Sequence, residues 1–152
     1  MKSLSNPRDR QEVIERLSRL SMDSPRQWGR MTAHQMICHL SDAFRGMMGE
    51  KPVAASGTMI HRTVLKWLAL RAPIKWPKGY RTRPEMDQEI GGTSPTDFEL
   101  DRKELERLVR RFTAKQRDYE FLPHPIFGRM SEEELLRWGY LHMDHHLRQF
   151  GL

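Results

Sequence analysis

Apolar residues recur along the chain at three- and four-residue spacing, and no alternating pattern runs for long, so the periodicity predicts helices. Val13, Ile14, Leu17 and Leu20 share one side of a segment over about 8–20, opened by Asn6-Pro7. A second helix is expected from Thr32, where TAHQ has the Thr-x-x-Gln form of a capping box, with a stripe of Met36, Leu40, Ala43, Phe44 and Met47. The stretch TMIHRTVLKWLAL, about 58–70, predicts a shorter, accessory helix. A fourth follows TSPTD and carries Phe98, Leu105, Leu108, Val109 and Phe112. The last starts at Ser131, where SEEE repeats the capping-box pattern, and stops near Gly151, a common helix-ending residue. An all-α four-helix bundle with one short accessory helix fits this order.

Two connections differ in kind. Residues 50–57 read as an ordinary loop, whereas 71–95 is long, rich in Pro and Gly, and mixed with aromatics and arginines. Loops of that length are uncommon in compact domains and are usually functional covers or disordered. No internal repeat is evident.

Composition narrows the setting. A length of 152 residues suits one domain spanning 1–152. Hydrophobic residues make up 38% and charged ones 30%, a balance expected of helices that each bury one stripe. A net charge of +6 would permit an acidic partner. However, the basic residues read as interleaved with acidic ones, as in DRKELERLVRRF, without a basic block or zinc-finger spacing. Nucleic acid is therefore not expected as a partner. The single cysteine, Cys38, excludes an internal disulfide framework and agrees with a reducing compartment. The start, MKSLSNPRDRQEV, lacks the apolar core of a signal peptide, and no apolar run approaches membrane-spanning length. The expectation is a cytoplasmic protein without a membrane partner. Exposed helix positions would allow a homodimer, but nothing selects one.

The chemistry concentrates in YLHMDHHLRQFG, 140–151. On a helical wheel advancing about 100° per residue, Glu134, Arg137, Asp144 and Arg148 cluster on one arc, expected to face solvent. His142 and His146 lie nearly opposite, Gln149 returns in line with His142, and His145 falls beside the polar arc. Histidines at i and i+4 can aim both rings at one point, a spacing that recurs in metal sites. A metal needs at least a third ligand, and His39 in MICHLSDA, beside Leu40 on the buried stripe, is the best candidate. By helical rise it sits roughly 9 Å from the start of its helix, and His146 and His142 roughly 6 and 12 Å from the end of theirs. The three come level only if the two helices run antiparallel.

The paired segments CHLSDA and HHLRQFG, with WGRMTAHQMICHLSDAFR, WPKGYRTRPEMDQ and HPIFG, resemble the DinB/YfiT-like superfamily of helical metalloproteins, and most nearly a branch of unknown function. Its signature, one histidine in the second core helix and His-x-x-x-His-x-x-Gln in the last, falls on His39, His142, His146 and Gln149. The resemblance implies a DinB-like four-helix bundle holding one divalent ion through three histidines. It also implies a small-molecule substrate, since characterised relatives include bacillithiol- or mycothiol-dependent S-transferases and a mycothiol-dependent maleylpyruvate isomerase.

Three neutral imidazoles leave an open coordination position, the arrangement of catalytic rather than structural zinc. Zinc is the first expectation and nickel the second, because nitrogen ligands suit several metals. The open position suits a low-molecular-weight thiol, activated for transfer to an electrophile, which follows the relatives. The alternatives are a metal-binding module without turnover and a hydrolase using metal-activated water. Gln35 and Asp42, one turn either side of His39, and Gln149 are candidates for orienting the ligand rings. Trp76, Tyr80, Arg81 and Arg83 are candidates for a cover that recognises an acidic thiol. Cys38 reads as a buried, inert thiol and Gly139 as a packing residue. His145 is expected on the solvent side, and His124, in the turn before the last helix, at the far end from the metal.

Overall fold

A computed structural model describes all of residues 1–152 and contains five α-helices and no β-strand. The helices are α1 (Pro7–Ser18), α2 (Ala33–Met47), α3 (Lys66–Arg71), α4 (Phe98–Phe112) and α5 (Glu132–Gln149). Their starts are chemically marked. Asn6 accepts from the Arg8 N–H and Pro7 opens α1, while Asp97 caps α4. Thr32 with Gln35 and Ser131 with Glu134 form complete capping boxes, each satisfying two amides that the helix leaves unpaired. The predicted 58–70 helix is interrupted: a π-helical turn, His61–Leu65, runs directly into the short α3. Within the long connection the only helical piece is a 3-10 turn, Pro84–Met86.

One cluster of 26 buried apolar residues draws on all five helices. Phe44 of α2 meets Phe112 of α4 and Trp138 of α5 edge-on within it, with the Phe44 and Phe112 ring centroids 4.9 Å apart. Gly139 lies against this group. A Cβ there would stand 2.7 Å from Leu4 Cδ1 and 3.3 Å from Phe44 Cε1, so the missing side chain serves close packing.

α5 is the central helix, packed against α1, α2 and α3, while α4 packs on α2. The direction of α2 against α5 follows from their contacts. His39 meets His142 and His146, whereas Phe44, later on α2, meets Trp138, earlier on α5. The two helices are therefore antiparallel, as the histidine depths require.

The polar arc of α5 is half-covered by other elements rather than open to solvent as the wheel has it. None of Glu134, Arg137, Asp144 and Arg148 is exposed. Asp144 pairs with Arg16 of α1 at 2.9 Å, Glu134 with Lys66 of α3 at 3.3 Å, and Arg137 donates to the Leu70 carbonyl at 3.2 Å. Charges can occupy a seam between helices when each finds a partner there.

Candidate metal centre

The antiparallel pairing brings His39 of α2 between His142 and His146 of α5. Ligand-capable atoms of the three residues all lie within 4.8 Å of one another, and His39 Nε2 stands 3.2 Å from His142 Nε2. Two nitrogens each about 2.0–2.1 Å from one zinc ion at a tetrahedral angle would lie about 3.3 Å apart. His39 and His146 are buried and His142 is partly so. Burial holds all three imidazoles below their usual pKa, with the neighbouring histidines reinforcing the effect at His142 and His146. Neutral rings are the form a metal requires.

Hydrogen bonds at the far nitrogens set which lone pair each ring presents. His39 Nδ1–H donates to the Met86 carbonyl at 3.0 Å, and His146 Nδ1–H to Gln149 Oε1 at 2.9 Å. Carbonyl oxygens only accept, so both protons sit on Nδ1 and both Nε2 atoms keep free lone pairs. Gln149 is held in turn, its Nε2 donating to the Trp28 carbonyl at 2.9 Å. His142 Nδ1 is buried without a hydrogen-bond partner. The three residues thus fit a nitrogen-bound divalent ion, with two of the three rings oriented by protein acceptors.

Two sequence candidates for orienting His39 lie elsewhere. Gln35 spends its side chain on the capping box, accepting from the Thr32 N–H at 2.9 Å. Asp42 is fully buried but accepts from the Thr93 N–H at 2.8 Å and Thr93 Oγ1 at 2.6 Å, and pairs with Lys51 at 2.9 Å. It pins the end of the long connection and reaches His39 only through its charge, which raises the ring's pKa. The acceptor that orients His39 is a backbone carbonyl in that connection, and no side-chain pattern marks such a group.

A cavity of about 440 Å³ opens above the three histidines. All four residues singled out as a cover, Trp76, Tyr80, Arg81 and Arg83, are on its wall, and no Asp or Glu lines it. The Trp76 ring lies 6.0 Å from that of His142 and its Nε1 donates to the Ala69 carbonyl at 2.8 Å. Arg83 is tied to Ser56 and Glu85, whereas Tyr80 and Arg81 are exposed.

Three further histidines line this cavity, His61 and, against expectation, His145 and His124. His145 is half-buried between Trp28 and Trp76, with ring centroids at 5.8 and 6.1 Å, because the long connection covers the side of α5 that the wheel left open. Its Nδ1 has no partner, and burial, helped by Arg148, lowers its pKa to about 4. His124 is not at the far end. It packs on Trp138, with centroids 5.2 Å apart, because the 124–128 turn folds back over α5. Its Nδ1 accepts from the Ile126 and Phe127 amides, which places the ring proton on Nε2, and burial lowers its pKa to about 3. A separate group joins α2 to α4: His34 Nε2 lies 2.7 Å from Asp101, and the Cys38 thiol 3.8 Å from the same carboxylate. Burial and Asp101 push that thiol up to about 12, which keeps it protonated and unreactive.

The profile of a family described as "Protein of unknown function (DUF1569)" matches residues 2–151. Neither the curated proteins nor the solved structures contain a match.

Proposed function

The chain belongs to the DUF1569 family, and from that premise we propose a metal-dependent enzyme with a three-histidine centre that acts on a low-molecular-weight thiol. The observation that carries the reading is the pair of fixed tautomers. The Nδ1 bonds of His39 and His146 leave their Nε2 lone pairs free, and ligand-capable atoms of these two residues and of His142 lie within 4.8 Å of one another. In this reading α1, α2, α4 and α5 form a single DinB-like bundle, α3 is the accessory helix, and zinc is the preferred ion, with nickel second.

A bound divalent ion supplies Lewis acidity that favours the thiolate form of a thiol at neutral pH. The chain's own residues do the rest. His39, His142 and His146 would hold the ion at the floor of the cavity. Trp76 shields that floor from water, and an apolar wall with polar groups at few points suits a small molecule. Lys75 and Arg81 at the mouth, with no carboxylate on the wall to oppose them, favour a thiol bearing acidic groups.

Calorimetric titration of the zinc-loaded protein with bacillithiol, mycothiol and glutathione tests this reading. Saturable heat with at least one thiol, absent in His142→Ala, is expected. Heat from none of them at millimolar concentration contradicts thiol chemistry. That result would favour hydrolysis by activated water, a reading in which His145, beside the triad with an unpartnered Nδ1, would accept a hydrogen bond from that water.

A further inference from the structure

The even interleaving of charge fails in one stretch. Residues 51–83 contain eight of the chain's 26 Lys and Arg and none of its 20 Asp and Glu, so the remaining 18 basic residues face 20 acidic ones. The whole net charge of +6 therefore resides there. Three of the eight cations are neutralised, Lys51 by Asp42, Lys66 by Glu134 and Arg83 by Glu85. Arg62, Arg71, Lys75, Lys78 and Arg81 are exposed and have no acidic partner.

The same stretch exposes large apolar side chains. Met59 is 78% exposed, Ile60 62%, and Val64, Trp67 and Ile74 58% each, values expected of surface lysines rather than of these residues. Ile60, Val64 and Trp67 fall on successive turns of the π-helical segment and α3, so they form one outward stripe. The opposite side of the segment, through Leu65, Leu68 and Ala69, lines the cavity. Core packing has therefore claimed one side and left the other, although leaving so much apolar surface in water is unfavourable.

We propose that residues 59–74 dock the protein onto an anionic lipid surface, with the Ile60–Val64–Trp67 stripe inserted at the headgroup level and the exposed Arg62 and Arg71 on lipid phosphates. Charge complementarity selects this occupant. A second copy of the chain would bring a like-charged patch against this one, and a nucleic acid would pair with the cations but leave the apolar stripe unsatisfied. Apolar residues flanked by Lys and Arg, with a tryptophan among them, are what an interfacial segment requires. That no helix is long and apolar enough to cross a membrane is consistent with a peripheral contact. The sequence expectation of no membrane partner rested on the lack of a spanning segment, which bears only on crossing. The proposal is independent of the chemistry at the three histidines.

Sedimentation of the full chain with vesicles tests it. Binding to equimolar phosphatidylcholine and phosphatidylglycerol is expected, with none to phosphatidylcholine alone, and it should weaken as salt is raised. Val64→Glu/Trp67→Glu and, separately, Arg62→Glu/Arg71→Glu should each weaken it about tenfold or more, with helix content and metal content unchanged. No binding to the anionic vesicles overturns the proposal, as does binding indifferent to the apolar pair. So would a dimer in sedimentation velocity that the apolar variant dissociates. Duplex DNA capture that survives the apolar variant, without vesicle binding, also overturns it.

Discussion

Two residues decide where His146 points: Gln149, whose Oε1 accepts its Nδ1–H, and Gly29, whose missing Cβ leaves room for the Gln149 amide. Gly29 has φ +75°, and a Cβ there would stand 2.6 Å from Gln149 Nε2. Gln149→Leu is expected to lower metal affinity about tenfold to a hundredfold, the usual effect of losing such an orienting partner. Gly29→Ala should act in the same direction. Competition against a chromophoric chelator measures both, and unchanged affinity in Gln149→Leu would remove its assigned role. His124 offers a pH test. Its folded-state pKa is depressed from 6.5 to about 3 by burial, so the unfolded chain takes up the proton first as acid is added. The stability from the neutral ring is fully present above pH 6.5 and is lost progressively as the pH falls toward 3. Urea unfolding of metal-free protein should show His124→Asn losing roughly 2 kcal/mol less than the wild type between about pH 6.5 and 5. Equal losses in the two proteins would contradict this.

Among the elements, α5 and the long connection teach most about what a sequence discloses. The four long helices were legible because each buries apolar positions at 3.6-residue spacing, and α2 and α5 also carry capping boxes. His39, His142 and His146 were legible for the same reason: wheel position and rise along two helices are local quantities. The polar arc of α5 was misread because a wheel equates polar with wet, whereas Arg16 and Lys66 come from distant elements to pair with Asp144 and Glu134. His145 was misplaced with that arc, and His124 because a turn's path over a helix has no periodicity to read. The connection matters to the site through Asp42, which ties α2 to Thr93 and Lys51 near the segment that supplies the Met86 carbonyl. Asp42→Ala should lower stability by about 1–3 kcal/mol, since the Thr93 N–H and hydroxyl then lose their buried acceptor. It should also weaken metal binding by freeing the segment behind His39. Denaturant unfolding and metal competition check the two effects, and a loss below about 1 kcal/mol would mean that the connection is anchored elsewhere.

At the scale of the molecule, an apolar core shared by five helices holds two antiparallel ones at the spacing their histidines need, and the long connection roofs the cavity above them. Membership of a family of unknown function leaves the chemistry to be argued from this site. The exposed apolar side of residues 59–74 had no counterpart in the sequence reading, because its periodicity looks the same whether a protein core or a lipid surface covers it. The account as a whole turns on three imidazoles sharing one cation. X-ray absorption at the zinc edge of the loaded protein tests that most directly. The expected spectrum has about three imidazole nitrogens at about 2.0–2.1 Å and no protein sulfur, falling to two in His39→Ala. A spectrum with a sulfur shell at about 2.3 Å, or one unchanged by removing His39, would contradict it.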